Sequence, residues 1–224
     1  MRRLIEGIAE FRATQLPLHA ERFRALAAGQ APDTLMITCA DSRVVPDLLV
    51  STDPGDLFTM RNVGNLVPPA DAAGMSTGDL SEASAIEYAV LVLRVRNIVV
   101  CGHSACGAMR AALAARMRGD TPNLARWLGH AGPARTRLEC DGPLDTALPP
   151  DDQLSQHNVL AQIGHLMTYG IVREAVAAGR LRLTGWWFSV GTGDMYSHEP
   201  ETGRFEIIEG EVARRMVERT ERGG

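Results

Sequence analysis

Hydrophobic positions follow two different periods along this chain, and the stretches that show them alternate. Short uninterrupted apolar runs, typical of strands buried on both faces, end at Cys39 and at Cys101. Apolar residues at helical spacing lie between and after these runs. The predicted strands cover residues 35–39, 56–60, 97–101, 182–190 and 204–208. The predicted helices cover residues 1–29 with a break near Pro17, 81–95, 108–117 and 153–178.

One long stretch shows neither period. Residues 119–152 contain five prolines and several glycines, which predicts an irregular chain with one short helix around Trp127. Strands that alternate with helices predict an α/β fold, with a mostly parallel central β-sheet flanked by helices and an N-terminal helical arm over 1–29. A chain of 224 residues fits a single domain, 1–224.

Charge and apolar run length exclude several classes of protein. The formal net charge is −4, and phosphate binding needs a clustered excess of Lys and Arg, so we expect no nucleic-acid partner. Glu6 and Glu10 interrupt any apolar export signal after the basic pair at 2–3. No apolar run approaches the ~20 residues that span a bilayer. We therefore expect a cytoplasmic protein with no membrane segment, whose four cysteines are too few for a disulfide framework.

Cysteine and histidine residues stand where two predicted strands end. Cys39 ends the first strand, and the motif H-S-A-C follows another at 103–106. Each cluster alone is also typical of a buried thiol or a hydrogen-bonded histidine. Because the carboxyl ends of parallel strands meet at one edge of a sheet, the two clusters can converge. Two thiolates and one imidazole form a zinc set that leaves a fourth position open, and Cys101 and Cys140 are poorly placed to close it.

Six motifs together resemble the β-class carbonic anhydrases. The resemblance implies a carbonate dehydratase, a zinc lyase that hydrates CO2 reversibly to bicarbonate and a proton by means of zinc-bound hydroxide. It also implies that Cys39, His103 and Cys106 bind Zn2+, with Asp41 and Arg43 as a catalytic dyad beside the metal-bound solvent. The motifs are G-Q-A-P at 29–32, C-A-D-S-R at 39–43, P-G-D-L-F at 54–58, R-N-V-G-N-L-V-P-P at 61–69, A-I-E-Y-A-V at 85–90 and N-I-V-V-C-G-H-S-A-C-G at 97–107.

The residue types of this dyad suit the implied chemistry. Zinc lowers the pKa of a bound water from 15.7 to about 7, which makes a nucleophile available at neutral pH. Asp41 can accept a hydrogen bond from that solvent and orient it. The planar fork of Arg43 can hold the Asp41 carboxylate ionised and in place.

The resemblance further suggests a substrate pocket, part of which a neighbouring subunit supplies. Its residues are Gln30, Phe58, Val63 and Tyr88, with Gly107 allowing the backbone to approach the site closely. Without the resemblance, Phe58 and Val63 are typical core residues, and a glycine at a helix start needs no functional explanation. The apolar N-terminal arm is expected to pack on a partner subunit, and the resemblance implies a homodimer or tetramer.

Two subclasses of this family differ in where the aspartate of the dyad lies. Gln30 precedes Cys39 by nine positions, as in the plant-like group, whose site stays open. The regulated group typically has Trp three positions before that cysteine, where this chain has Met36. We therefore expect an open site without bicarbonate regulation through that pocket, and ligation of zinc by Asp41 only in a closed state.

Other functions fit parts of the pattern. A hydrolase of carbonyl sulfide or carbon disulfide can use the same zinc chemistry, and access to the pocket decides between the two. A non-catalytic zinc-stabilised interaction module would lack the dyad or have a fourth protein ligand. A nucleotide-binding protein is less compatible, because the turn at 191–193 has no phosphate-binding fingerprint. His157 and His165, on one predicted helix, are minor candidates for proton exchange.

Overall fold

A computed structural model describes residues 1–114 and 120–221. The predicted arm is one continuous helical segment, made of α1 (Arg2–Glu10), a π-helical turn (Phe11–Gln15) and α2 (Leu16–Leu26). The predicted break near Pro17 is wrong, because the chain stays helical from Arg2 to Leu26 and the π-helical turn precedes Pro17. Pro17 has no amide hydrogen to donate, but it stands in the first turn of α2, where that loss is tolerated.

The described residues form a six-stranded, mostly parallel sheet, which confirms the α/β prediction. Its strands are β1 (Thr34–Cys39), β2 (Leu57–Asn62), β3 (Asn97–His103), β4 (Arg182–Phe188), β5 (Met195–Glu199) and β6 (Arg204–Ile207). Their order in the sheet is β2-β1-β3-β4-β5-β6. The first four strands of that order are parallel, and β5 and β6 are antiparallel to their neighbours.

The helices correct three of the sequence predictions. The helix predicted over 153–178 is two helices, α8 (Pro150–Leu166) and α9 (Gly170–Ala177), because the chain turns at Tyr169. The buried hydroxyl of Tyr169 donates to the Pro68 carbonyl at 2.7 Å. The stretch 119–152 is not irregular, since Pro133 stands in the first turn of a helix that had not been predicted, α7 (Gly132–Asp141). Strand β5 and the last helix, α10 (Gly210–Glu221), were also not predicted. The last residues of the helix predicted over 108–117 lie outside the described ranges.

The helices after the arm flank the sheet. Among residues 1–114 and 120–221, no helix is both long and apolar enough to cross a membrane. These helices are α3 (Pro46–Leu49), α4 (Leu80–Glu87) with a π-helical continuation (Tyr88–Leu93), α5 (Gly107–Leu113), α6 (Pro122–Leu128), a 3-10 turn (Gly129–Ala131), α7 (Gly132–Asp141), α8 (Pro150–Leu166), α9 (Gly170–Ala177) and α10 (Gly210–Glu221).

Helix α8 lies unusually close to strands β3 and β4. A Cβ atom added to Gly102 would stand 2.8 Å from a methyl group of Val159, and one added to Gly185 would stand 2.8 Å from the other methyl group. Only glycine permits this approach, because any side chain there would force the helix away from the sheet. The contact fixes α8 beside the carboxyl end of β3, where His103 stands.

Candidate metal centre

Three sulfur and nitrogen ligands converge where the parallel strands end. Cys39 is the last residue of β1, His103 is the last residue of β3, and Cys106 caps the N-terminus of α5. Their ligand atoms all lie within 4.8 Å of one another, and all three residues are buried. Within the described part of the chain, no fourth side chain joins this group, although the Asp41 carboxylate lies beside it. This is the ligand number of a site with an open position.

The protonation chemistry of these side chains fits a zinc ion. His103 Nδ1 donates to the Ser104 carbonyl at 2.9 Å, which leaves the buried Nε2 as an electron-pair donor, and no hydrogen-bond partner for it lies among the described residues. The Cys106 thiol hydrogen bonds to Cys39 and lowers the pKa of Cys39 to about 4, despite burial. The same bond, together with burial, raises the pKa of Cys106. Two adjacent sulfurs, one of them with a lowered pKa, and an imidazole nitrogen with a free electron pair are donors that a zinc dication binds.

A tight turn after β2 supports the Cys39 sulfur. The Gly64 amide donates to Cys39 Sγ at 3.3 Å, and Gly64 has a φ of +85°, a conformation that favours glycine. The Gly64 carbonyl accepts from Asn158 of α8 at 3.0 Å. A side chain at Gly64 would also press on Ala108, 3.0 Å away. The turn is therefore fixed on both sides of the amide that contacts the sulfur.

Asp41 and Arg43 form a bidentate ion pair next to the three ligands. Arg43 Nε donates to Asp41 Oδ1 at 2.9 Å, and Arg43 Nη2 donates to Asp41 Oδ2 at 2.8 Å. These bonds hold the pKa of Asp41 below its usual range, so the carboxylate is charged at neutral pH. Asp41 Oδ2 lies 3.9 Å from His103 Nε2, so the charge faces the same space as the ligand nitrogen. Arg61 donates to the carbonyls of Cys39 and Asp41 at 3.2 and 2.8 Å, which fixes the backbone between them.

An open cleft of about 330 Å³ leads to these residues. Val63 and Gly107 line it, as the resemblance suggests, whereas Gln30, Phe58 and Tyr88 do not. The rings of Phe58 and Tyr88 contact each other with centroids 5.7 Å apart, and Tyr88 is 43% exposed. The cleft is lined by Cys39, Ala40, Asp41, Val63, Gly107, Ala108, Ala111 and Leu124.

The two histidines considered for proton exchange are structural in their contacts. His157 Nε2 donates to the Gly142 carbonyl at 2.9 Å, and His165 Nδ1 donates to the Val67 carbonyl at 2.7 Å. Burial lowers the pKa of both side chains. Neither residue lines the cleft.

The sequence analysis did not identify the polar face of α8 as part of the site. This face contacts the loop after β3 and, through Asn158, the turn at Gly64. Asp152 accepts from the Ala105 amide at 2.5 Å, and Ser155 donates to the His103 carbonyl at 2.9 Å. The sequence does contain a pattern that could have indicated this face, a series of polar residues three or four positions apart within α8. Its members are Asp152, Ser155, Asn158, Gln162 and His165.

Comparison with known proteins gives one consistent family. A family model described as "Carbonic anhydrase" matches residues 34–195. The chain is 41% identical to a carbonic anhydrase of Pseudomonas aeruginosa over 97% of this chain and 91% of that protein. It is 42% identical to one of Synechococcus elongatus over 87% of this chain and 70% of that protein.

Solved structures agree with these sequence matches. The β-carbonic anhydrase CcaA matches with a TM-score of 0.83 at 34% identity, over 92% of this chain and 98% of that chain. A tetrameric β-carbonic anhydrase of Sordaria macrospora matches with a TM-score of 0.75 at 33% identity, over 88% of this chain and 95% of that chain.

Proposed function

The chain belongs to the β-class carbonic anhydrase family, and from this premise we propose that Asp41 and Arg43 are the catalytic dyad of its zinc site. The protein catalyses the reversible hydration of CO2, CO2 + H2O ⇌ HCO3− + H+. Its zinc site is Cys39, His103 and Cys106. The observation that carries the proposal is the position of a charged Asp41 carboxylate 3.9 Å from the unpartnered Nε2 of His103.

The side chains of this site divide the work of the reaction. A zinc ion held there supplies Lewis acidity, which lowers the pKa of water toward about 7. Asp41 Oδ2 accepts a hydrogen bond from the reacting water. This bond orients the water so that a lone pair of the water oxygen points at the carbon of CO2. Arg43 keeps Asp41 ionised, so that the carboxylate accepts this bond and does not donate one.

The cleft suits a small apolar substrate. CO2 carries no charge, and Val63, Ala108, Ala111 and Leu124 give the cleft a mostly apolar wall. Gly107 lines the cleft, but a Cβ there would meet no atom within 4 Å, so no close approach within the chain requires glycine at this position. We propose that Gln30, Phe58 and Tyr88 complete the pocket across a subunit interface.

An open arrangement of the dyad is part of the proposal. Both Asp41 oxygens are engaged by Arg43, and these two bonds oppose a movement of the carboxylate onto zinc. Met36, buried in β1, stands where the regulated subclass has Trp. Crystal structures at low and neutral pH test this arrangement, and Asp41 bound to zinc at neutral pH would overturn it.

We propose that the protein self-associates as a homodimer or tetramer, with the arm 1–29 as part of one domain. Leu4, Ile5 and Ile8 of α1 are exposed, and burial of such a face on a partner is favourable. Light scattering of the whole chain tests the assembly, and a monomer at micromolar concentration would contradict it. A cytoplasmic location is also proposed, supported by four cysteines that are all free thiols.

Zinc content measured together with stopped-flow CO2 hydration tests the dyad. In Asp41→Asn we expect one zinc per chain and a kcat/KM about 10–100-fold lower, because the acceptor beside the metal has lost its charge. Asp47→Asn is the matched control, since Asp47 is exposed on α3 and lies outside the cleft. Full activity in Asp41→Asn would contradict the proposed role.

A further inference from the structure

The loop that joins two of the metal ligands contains a residue in an unfavourable conformation. Ala105 lies between His103 and Cys106 and has a φ of +52°. This left-handed conformation brings the Cβ atom of an L-residue too close to backbone atoms, so a non-glycine residue adopts it only when the surroundings hold it there. The next residue, Cys106, supplies a zinc ligand, and its direction depends on this conformation.

Two side chains hold Ala105, one at each polar backbone atom. Asp152 Oδ1 accepts a hydrogen bond from the Ala105 amide at 2.5 Å, and Arg43 Nη2 donates to the Ala105 carbonyl at 3.0 Å. Arg43 is the same guanidinium that holds Asp41. The Ala105 backbone therefore connects Asp152 to the catalytic pair.

Asp152 stands on a rigid support. It lies in the first turn of α8 and is only 7% exposed. One turn further along this helix, Ser155 donates to the His103 carbonyl. Two turns further along, Val159 packs directly on Gly102. A displacement of the Asp152 carboxylate would require the movement of a helix that is fixed against the sheet.

We propose that Asp152 is a positioning residue for CO2 hydration, acting through Ala105 on the sulfur of Cys106 and on the guanidinium of Arg43. This inference rests on the proposed function of the dyad. Without the Asp152 carboxylate, the Ala105 backbone is free to leave the left-handed conformation. The Cys106 sulfur then turns away from the other ligands, and Arg43 loses the carbonyl that fixes it beside Asp41.

A negative charge in the first turn of α8 could also stabilise the helix without positioning Ala105, and a control variant separates these two effects. Asp151 and Asp152 both lie in the first turn of α8, where a negative charge is favourable. Asp151 pairs instead with the exposed Arg110, at 2.9 Å, and lies outside the cleft. Asp151→Ala is therefore a matched control that removes the same charge from the same helical turn.

The test compares Asp152→Ala, Asp151→Ala and the double variant Asp152→Ala/Ala105→Gly as zinc-loaded proteins. For Asp152→Ala we expect kcat to fall about 10–100-fold and KM to change less than about twofold, because the cleft wall is untouched. Zinc affinity, measured by chelator competition, should weaken about 10–100-fold. The double variant should regain part of both losses, since glycine adopts a positive φ without a clamp.

Three outcomes would overturn the proposal. The first is that Asp152→Ala and Asp151→Ala have the same kcat, KM and zinc affinity. The second is that Asp152→Ala changes KM alone. The third is that the addition of Ala105→Gly restores neither kcat nor zinc affinity. Should Asp152→Ala not fold, Asp152→Ser replaces it, because serine removes the carboxylate and keeps a small polar side chain in the first turn of α8. Zinc affinity also tests Asp152 without reference to turnover. A native protein that binds zinc without hydrating CO2 would therefore contradict the function and leave the positioning role open to measurement.

Discussion

Replacing Ser155 with alanine should destabilise the protein by an amount that its contacts allow us to work out. Ser155 is 1% exposed, and its hydroxyl donates to the His103 carbonyl at 2.9 Å and accepts from Trp187 Nε1 at 3.2 Å. Loss of the first bond costs about 1 kcal/mol net, and the buried indole N–H left without a partner costs about 1–3 kcal/mol. We expect Ser155→Ala to lower the free energy of unfolding by about 2–4 kcal/mol.

Urea unfolding of the zinc-loaded protein at fixed concentration measures this change. Ser84→Ala, at an exposed position of α4, is the control and should change stability by less than about 0.5 kcal/mol. In a Trp187→Phe background the indole donor is absent, so Ser155→Ala should cost about 1–3 kcal/mol less there. A cost below about 1 kcal/mol, or one that is independent of Trp187, would refute the reasoning.

Two further predictions concern α8 and its neighbours. Burial lowers the pKa of His157 from its ordinary 6.5, so the folded state binds this proton less readily than the unfolded state, and stability falls as the pH decreases through 6.5. His157→Gln should make the free energy of unfolding less dependent on pH between 7 and 5, and an unchanged slope in urea titrations would contradict this. Gly102→Ala should cost about 1–3 kcal/mol, because the new methyl group meets Val159 at 2.8 Å. Val159→Ala in the same chain should recover part of that loss in thermal unfolding, and a fully stable Gly102→Ala would show that α8 can move away.

The sequence predicted the part of the site that depends on strand ends. Cys39 ends one apolar run and His103 follows another, and the carboxyl ends of parallel strands meet at one edge of a sheet, so these two ligands could be brought together without a structure. Cys106 follows His103 by three positions. The dyad lies directly after one of these ends. The fold class followed from the same alternation of strands and helices.

The polar face of α8 was not predictable from hydropathy. Asp152, Ser155 and Asn158 are all buried, but side chains of these types on a helix usually face solvent. Their role depends on carbonyl and amide groups of distant loops, which no local pattern encodes. Strand β5 has no apolar run, since its residues are M-Y-S-H-E. Helix α7 begins with a proline, and a proline is typical of an irregular segment as well as of a first helical turn.

Zinc titration of the metal-free chain tests the central claim most directly. The initial rate of CO2 hydration is measured by stopped flow as zinc is added to the chelator-treated protein. We expect the rate to rise linearly and to stop rising at one zinc per chain, with no such rise in Cys106→Ala, because each chain has one Cys39, His103 and Cys106 group. Tight binding of one zinc without hydration, or hydration that persists in the metal-free protein, would contradict the account.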